Sequence, residues 1–139
     1  MFPEPGESEI TILIVDNDLG FLFWLGSELC TAGYVALPAE DCQNARRLLN
    51  QLQVGVRLLL VNYGIIGTQV LASELLRANG HLKVIALLGD EDDRDAKVDG
   101  ADAWQRRNSR PSEWLQTIQA VLEPEPPARS MQVTAGKPS

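Results

Sequence analysis

The chain has 139 residues, 45% apolar and 22% charged, which supplies one globular core and excludes a wholly disordered segment. Its formal net charge of −7 excludes a phosphate-binding surface of the nucleic-acid type, because that affinity comes from lysine and arginine neutralising backbone phosphates. No apolar stretch approaches the roughly 20 residues of a membrane helix, and the acidic, proline-bearing residues 1–9 lack the basic flank of a signal peptide, so a cytoplasmic protein without membrane contact is expected.

Short apolar runs alternate with helical patterns five times along the chain. Ile10 to Val15 predicts a strand. Leu19 to Ala32 predicts a helix stopped by Gly33, with Asp18 as its N-cap, and Tyr34 to Leu37 a second short strand. Within the first helix, Phe21, Trp24, Leu25, Leu29 and Ala32 fall at helical spacing and predict the buried stripe. Leu19, Leu22 and Phe23 are then expected to point outward as an apolar cluster of the kind that marks an interface. Asp41 is positioned to cap a second helix carrying Ala45, Leu48, Leu49 and Leu52.

Leu58 to Val61 is apolar at every position, as expected for a central strand buried on both faces, and ends at Asn62. Val70 to Ala78 predicts a helix that stops near Asn79 and Gly80. Leu82 to Leu88 predicts a strand, Asp90 to Asp99 a polar helix closed by Gly100, and Ala101 to Gln105 the fifth strand. Pro111 opens a last helix through Trp114, Leu115, Ile118, Val121 and Leu122. Residues 123–139, with four prolines and no periodic apolar face, read as a disordered tail or linker. The expected organisation is therefore an extension over 1–9, one domain over 10–122 and the tail. The alternation implies an α/β fold: a single doubly wound five-stranded parallel sheet flanked by five helices.

Several residues carry no chemistry in this reading. Cys30 and Cys42 have neither a CxxC spacing nor a disulfide framework and are expected to be reduced and structural, and His81 is expected in an exposed loop. The run Asp90, Glu91, Asp92, Asp93 lacks the spacing of a calcium loop and reads as a solvated helix start. No metal site is expected.

In an open parallel sheet, function gathers at the carboxyl ends of the strands. The residues there are Asp16, Asn17, Asn62, Leu88 and the stretch Trp104 to Arg107. That set, with Val15-Asp16-Asn17-Asp18 after the first strand and Gly100-Ala101-Asp102 leading into the fifth, resembles the receiver domain of bacterial response regulators, a CheY-like fold. The resemblance covers about Ile10 to Leu122 and implies the strand order 2-1-3-4-5.

In that family two adjacent acids after strand one and an aspartate ending strand three bind Mg²⁺, and the strand-three aspartate accepts a phosphoryl group from a histidine kinase. The matching positions are Asp16, Asn17 and Asn62, so one carboxylate stands where the family has three. A carboxamide is neutral and a poor nucleophile, so Asn62 cannot form an acyl phosphate, and Mg²⁺ binding is expected to be weak or absent. Leu88 stands where the family has a hydroxyl, and Arg107, followed by Asn108, where it has lysine and proline. Trp104 takes the position of an aromatic switch that the hydroxyl would draw inward. It is expected to stay outward in a contact surface, with Arg107 paired to Asp16. Only eleven residues separate Leu88 from Gly100, so the fourth helix is expected to be short. Ile66 stands where a proline often follows the acceptor.

These departures imply a non-enzymatic pseudo-receiver of a two-component-type signalling protein, independent of phosphorylation. Its expected partners are proteins: a histidine kinase, an output domain or a second copy. The alternative is a residual phosphorelay receiver or small-ligand switch using Asp16 or Asp18.

Overall fold

The computed structural model describes residues 10–89 and 101–123. Five parallel strands, β1 (Thr11–Val15), β2 (Val35–Ala39), β3 (Leu58–Val61), β4 (Lys83–Leu88) and β5 (Ala103–Arg106), form one sheet in the order β2-β1-β3-β4-β5. Four helices are described, α1 (Leu19–Thr31), α2 (Cys42–Leu52), α3 (Thr68–Ala78) and α4 (Pro111–Leu122). The fold class and strand order agree with the sequence reading. The fifth expected helix, Asp90 to Asp99, lies outside the described residues.

Strand β3 is apolar throughout, and β1 and β4 are apolar after their first residues, Thr11 and Lys83, because both faces of the sheet are covered. From β1, Leu13 and Val15 enter a cluster with Leu59, Val61, Ala45 and Leu71 under α2 and α3. Ile12 and Ile14 face the opposite way and meet Leu58, Leu60, Leu25, Leu29, Trp114 and Ile118 under α1 and α4. Period-two alternation in one strand thus feeds two separate layers.

Local chemistry sets the helix ends. The Asp18 carboxylate accepts from the Phe21 N–H at 3.1 Å, and the Asp41 carboxylate from the Asn44 N–H at 2.8 Å, so each N-cap satisfies a donor that has no intrahelical partner. Gly33 ends α1 in a left-handed conformation, φ 100°, that a side chain would disfavour.

Strand β2 runs two residues further than the expected Leu37, through Pro38 to Ala39. Val35 donates to Ile10 and Ala39 accepts from Asp16, so the odd-numbered residues face β1. The nitrogen of Pro38 therefore falls on the free edge of the sheet, where a missing N–H costs no ladder bond.

The orientation of α1 differs from the expected one. The buried residues are Leu22, Leu25, Gly26 and Leu29, so Leu22 belongs to the core and is not part of an exposed cluster. Leu19 and Phe23 are exposed, 49% and 66%, and Trp24, expected in the buried stripe, is 37% exposed; Ala32 also lies at the surface. The physical reason lies in the helix's neighbours. Gly26 packs against Ala36 of β2, where an added Cβ would sit 3.9 Å away, and Phe21 turns to Trp114 of α4, ring centroids 6.1 Å apart. Because α1 is apolar almost all round, its own pattern leaves the rotation open, and these two contacts decide it.

We expect Leu22→Ser to cost about 2–5 kcal/mol of unfolding free energy, as truncation and polar substitution in a packed core do, and Phe23→Ser to stay within about 0.5 kcal/mol. Urea unfolding of the two variants checks this, and equal losses would place both residues in the core.

Candidate functional site at the carboxyl edge of the sheet

Three backbone bonds carry the ladder one residue beyond the strands and bring the strand-end residues to one edge. Asp16 N–H donates to Ala39 at 3.2 Å, Asn62 N–H to Val15 at 2.9 Å and Arg107 N–H to Leu88 at 2.9 Å. Asp16 is fully buried, 0% exposed. Its Oδ1 accepts from the Asp18 N–H at 2.9 Å, which folds the chain into the turn before α1. A single guanidinium nitrogen, Arg107 Nη1, donates to both carboxylate oxygens, at 2.9 Å to Oδ1 and 3.2 Å to Oδ2. The buried charge of Asp16 is therefore countered by one side chain reaching back from the end of β5.

Asn62 makes its bond elsewhere. Its Oδ1 accepts from the Gly64 N–H at 2.8 Å, so the carboxamide closes its own loop. Glycine suits this turn: a Cβ at position 64 would lie 3.1 Å from that oxygen. Asn17 is exposed. Asp18, the other carboxylate beside the site, is engaged as the N-cap of α1. The oxygen donors contributed by the acidic-pocket and acceptor positions are thus one carboxylate held by a guanidinium and two carboxamides.

Leu88 and Trp104 lie to the side of this pair. They line an open groove of about 560 Å³ with Gln105, Arg106, Asn108, Ser109 and Glu113. Trp104 pairs with Ala86 across the β4–β5 ladder and is 37% exposed. Behind it, Gln105 bonds both Ser109 and Thr117 and ties β5 to α4. The groove and the Asp16–Arg107 pair diverge from adjacent residues of one strand end.

Phe21 is the residue that sequence reasoning missed at this site. The Arg107 guanidinium carbon stands 5.8 Å from the centre of its ring, within cation–π range. Phe21 in turn meets Trp24 at 6.3 Å and Trp114 at 6.1 Å between centroids. Its helical spacing marks it only as apolar; nothing in a linear pattern reports that residue 107 folds back onto it.

The other predicted residues carry little chemistry. Cys30 and Cys42 are both free thiols, Cys30 exposed and Cys42 buried. The Cys42 thiol lies 3.6 Å from the carbonyl oxygen of Ile66 and is pushed up by burial, with Arg46 opposing and Asp41 and Glu74 adding to the rise. Burial also pushes up the Tyr63 hydroxyl, with the Asp102 carboxylate adding to it. His81 is exposed.

Solved structures share this architecture. A response regulator receiver domain protein from Clostridium thermocellum matches with a TM-score of 0.67 at 19% identity, over 81% of this chain and 94% of that one. The chemotaxis response regulator CheY4 of Vibrio cholerae matches with a TM-score of 0.68 at 20% identity, over 82% and 99%. NtrX from Brucella abortus, in a structure with ADP, matches with a TM-score of 0.71 at 20% identity, over 81% of this chain and 26% of that one. No family model and no curated protein sequence matches the chain. The fold is that of the response regulator receiver domain, and Asp16, Asn62, Leu88 and Arg107 stand at the carboxyl ends of its strands.

Cys42 and Tyr63 both hold their protons more tightly in the folded than in the unfolded chain. The stability they contribute is complete below their ordinary values of 9.0 and 10.0 and is lost as pH rises past them. Urea unfolding between neutral and strongly alkaline pH should show a decline that flattens in Cys42→Ala and Tyr63→Phe; an unchanged slope in both would remove these groups as its source.

Proposed function

We propose that this chain is a pseudo-receiver: a signalling module of the two-component type that works by binding a protein and does not pass through a phosphorylated state. The observation that carries the reading is the side chain of Asn62. At the end of β3 stands a neutral carboxamide, already bonded to the Gly64 N–H, in the position from which a receiver's nucleophile would attack.

The surroundings support the same reading. Mg²⁺ does not fit these residues: it is a hard cation that takes carboxylate and water oxygens, and Asp16, the carboxylate just past the end of β1, is buried against a guanidinium. Leu88 offers no hydroxyl to a phosphoryl oxygen. Asp16 and Asp18, the substitute acceptors that a residual phosphorelay would need, are engaged as the partner of Arg107 and as a helix cap. No catalytic role is assigned to the chain.

A protein-binding role draws support from α1. Between Asp18 and Glu40 the only charged residue is Glu28, and the exposed side of the helix presents Leu19, Phe23 and Trp24. An uncharged apolar surface on a chain of net charge −7 is a natural contact for a partner protein. Trp104, half exposed at the groove, is a second contact candidate, held outward because Leu88 gives it nothing to follow inward. Among the described residues no helix is long and apolar enough to cross a membrane, and the reading places the domain in the cytoplasm with the kinases and output domains of such systems. In NtrX the matched fold takes up 26% of that chain, which illustrates its use as one part of a longer protein.

The deciding experiment is an amide and indole NMR titration with Mg²⁺ and beryllofluoride, a mimic of the acyl phosphate. We expect no saturable shift at Asn62, Leu88, Trp104 or Arg107; saturable shifts reaching Trp104 would mean a working switch and end the proposal. For the surface, Leu19→Ser with Phe23→Ser should weaken capture of the protein partner without loss of fold. Unchanged capture by a folded double variant would move the interface off α1.

A further inference from the structure

We infer that Arg107 is the built-in cation of this site: its guanidinium takes over the charge compensation that a soluble ion would supply, and by standing on Phe21 it also positions the aromatic end of α1. The inference deepens the reading given under Proposed function and rests on it.

Three observations carry it. Asp16 is completely buried, and a carboxylate removed from water needs a counter-charge or a proton. The side chain that reaches it comes from 91 residues away and remains 30% exposed, with one guanidinium nitrogen directed inward to the carboxylate. The same guanidinium stands 5.8 Å from the centre of the Phe21 ring, and Phe21 touches both Trp24, at the surface of α1, and the fully buried Trp114.

Charge and packing are therefore joined in one group. A guanidinium is planar and weakly hydrated, so it can satisfy a carboxylate along its edge and lie against an aromatic ring with its face, a combination that a hydrated metal ion does not offer. The carboxyl edge of the sheet and the apolar surface of α1 are thereby held in one arrangement without any bound ion. Arg107 is a positioning residue in this account, acting on α1 through Phe21.

The test is chemical rescue. Arg107→Ala removes the cation and leaves a cavity shaped for it beside Asp16. We expect this variant to melt below the wild type, with the indole resonances of Trp24 and Trp114 displaced. Methylguanidinium, added far below denaturing concentrations, should restore both the melting temperature and the two indole resonances saturably, and should leave the wild type unmoved. The double variant Asp16→Asn with Arg107→Ala has no buried carboxylate to compensate; it should melt above the single variant and ignore methylguanidinium.

Absence of a saturable response in Arg107→Ala, or an equal response in the double variant, would overturn the inference. Should Arg107→Ala fail to fold, the double variant decides alone. Recovery of folding would show that the bare carboxylate was at fault, and an equally unfolded double variant would reduce Arg107 to packing and overturn its role as a cation. Failure here is separable from failure of the pseudo-receiver reading, which would show itself as beryllofluoride binding by the wild type.

Discussion

The burial of the Asp16 carboxylate at the end of β1 is the constraint around which the upper edge of the sheet is arranged. A charged group with no exposed surface cannot be left without partners in a folded chain, because its lost hydration is worth more than most single contacts return. Two partners meet it: the backbone N–H of Asp18, which bends the chain into α1, and the guanidinium of Arg107, which brings the end of β5 across to β1. The second of these joins the ends of β1 and β5 over a sheet in which β3 and β4 lie between them. Asn62, just past the end of β3, and Leu88, the last residue of β4, lie along the same edge.

The chemistry that this edge supports follows from which donors and acceptors remain uncommitted. The carboxylate is committed to a cation, the carboxamide of Asn62 to its own loop, and Asp18 to the first turn of α1. The side chain of Leu88 can neither donate nor accept. Beside this edge, α1 carries the exposed apolar residues Leu19, Phe23 and Trp24.

How far a linear reading reaches can be judged from particular elements. The strand Leu58–Val61 was legible because a strand buried on both faces must be apolar at every position, Lys83–Leu88 because five apolar residues follow its first, and the caps at Asp18 and Asp41 because a short side-chain acceptor before an apolar run has a specific donor to satisfy. The rotation of α1 was not legible. With apolar residues on nearly every side, its sequence is compatible with several buried faces, and the assignment of Leu22 to the surface failed for that reason. The contacts that settle the matter, Gly26 on Ala36 and Phe21 on Trp114, belong to other elements. The extension of β2 through Pro38 is hidden in the same way, since a proline is a breaker unless its nitrogen faces a free edge, and edges exist only once the strands are ordered.

By itself, then, the sequence determined the alternation of strands and helices, the parallel sheet that right-handed crossovers impose on it, and the identities of the residues at the strand ends, because these follow from periodicity and from covalent order. It also determined that one carboxylate and two carboxamides stand at those positions, since that is composition at known places. Only the tertiary structure decided which face of α1 is buried, where the carboxamide of Asn62 spends its hydrogen bond, and that the Arg107 guanidinium rests on Phe21. Each of these depends on groups far apart in sequence meeting at a particular distance and angle, and hydrogen bonds, ion pairs and ring contacts are short-range and directional. No pattern along the chain encodes them until the sheet has placed their ends side by side.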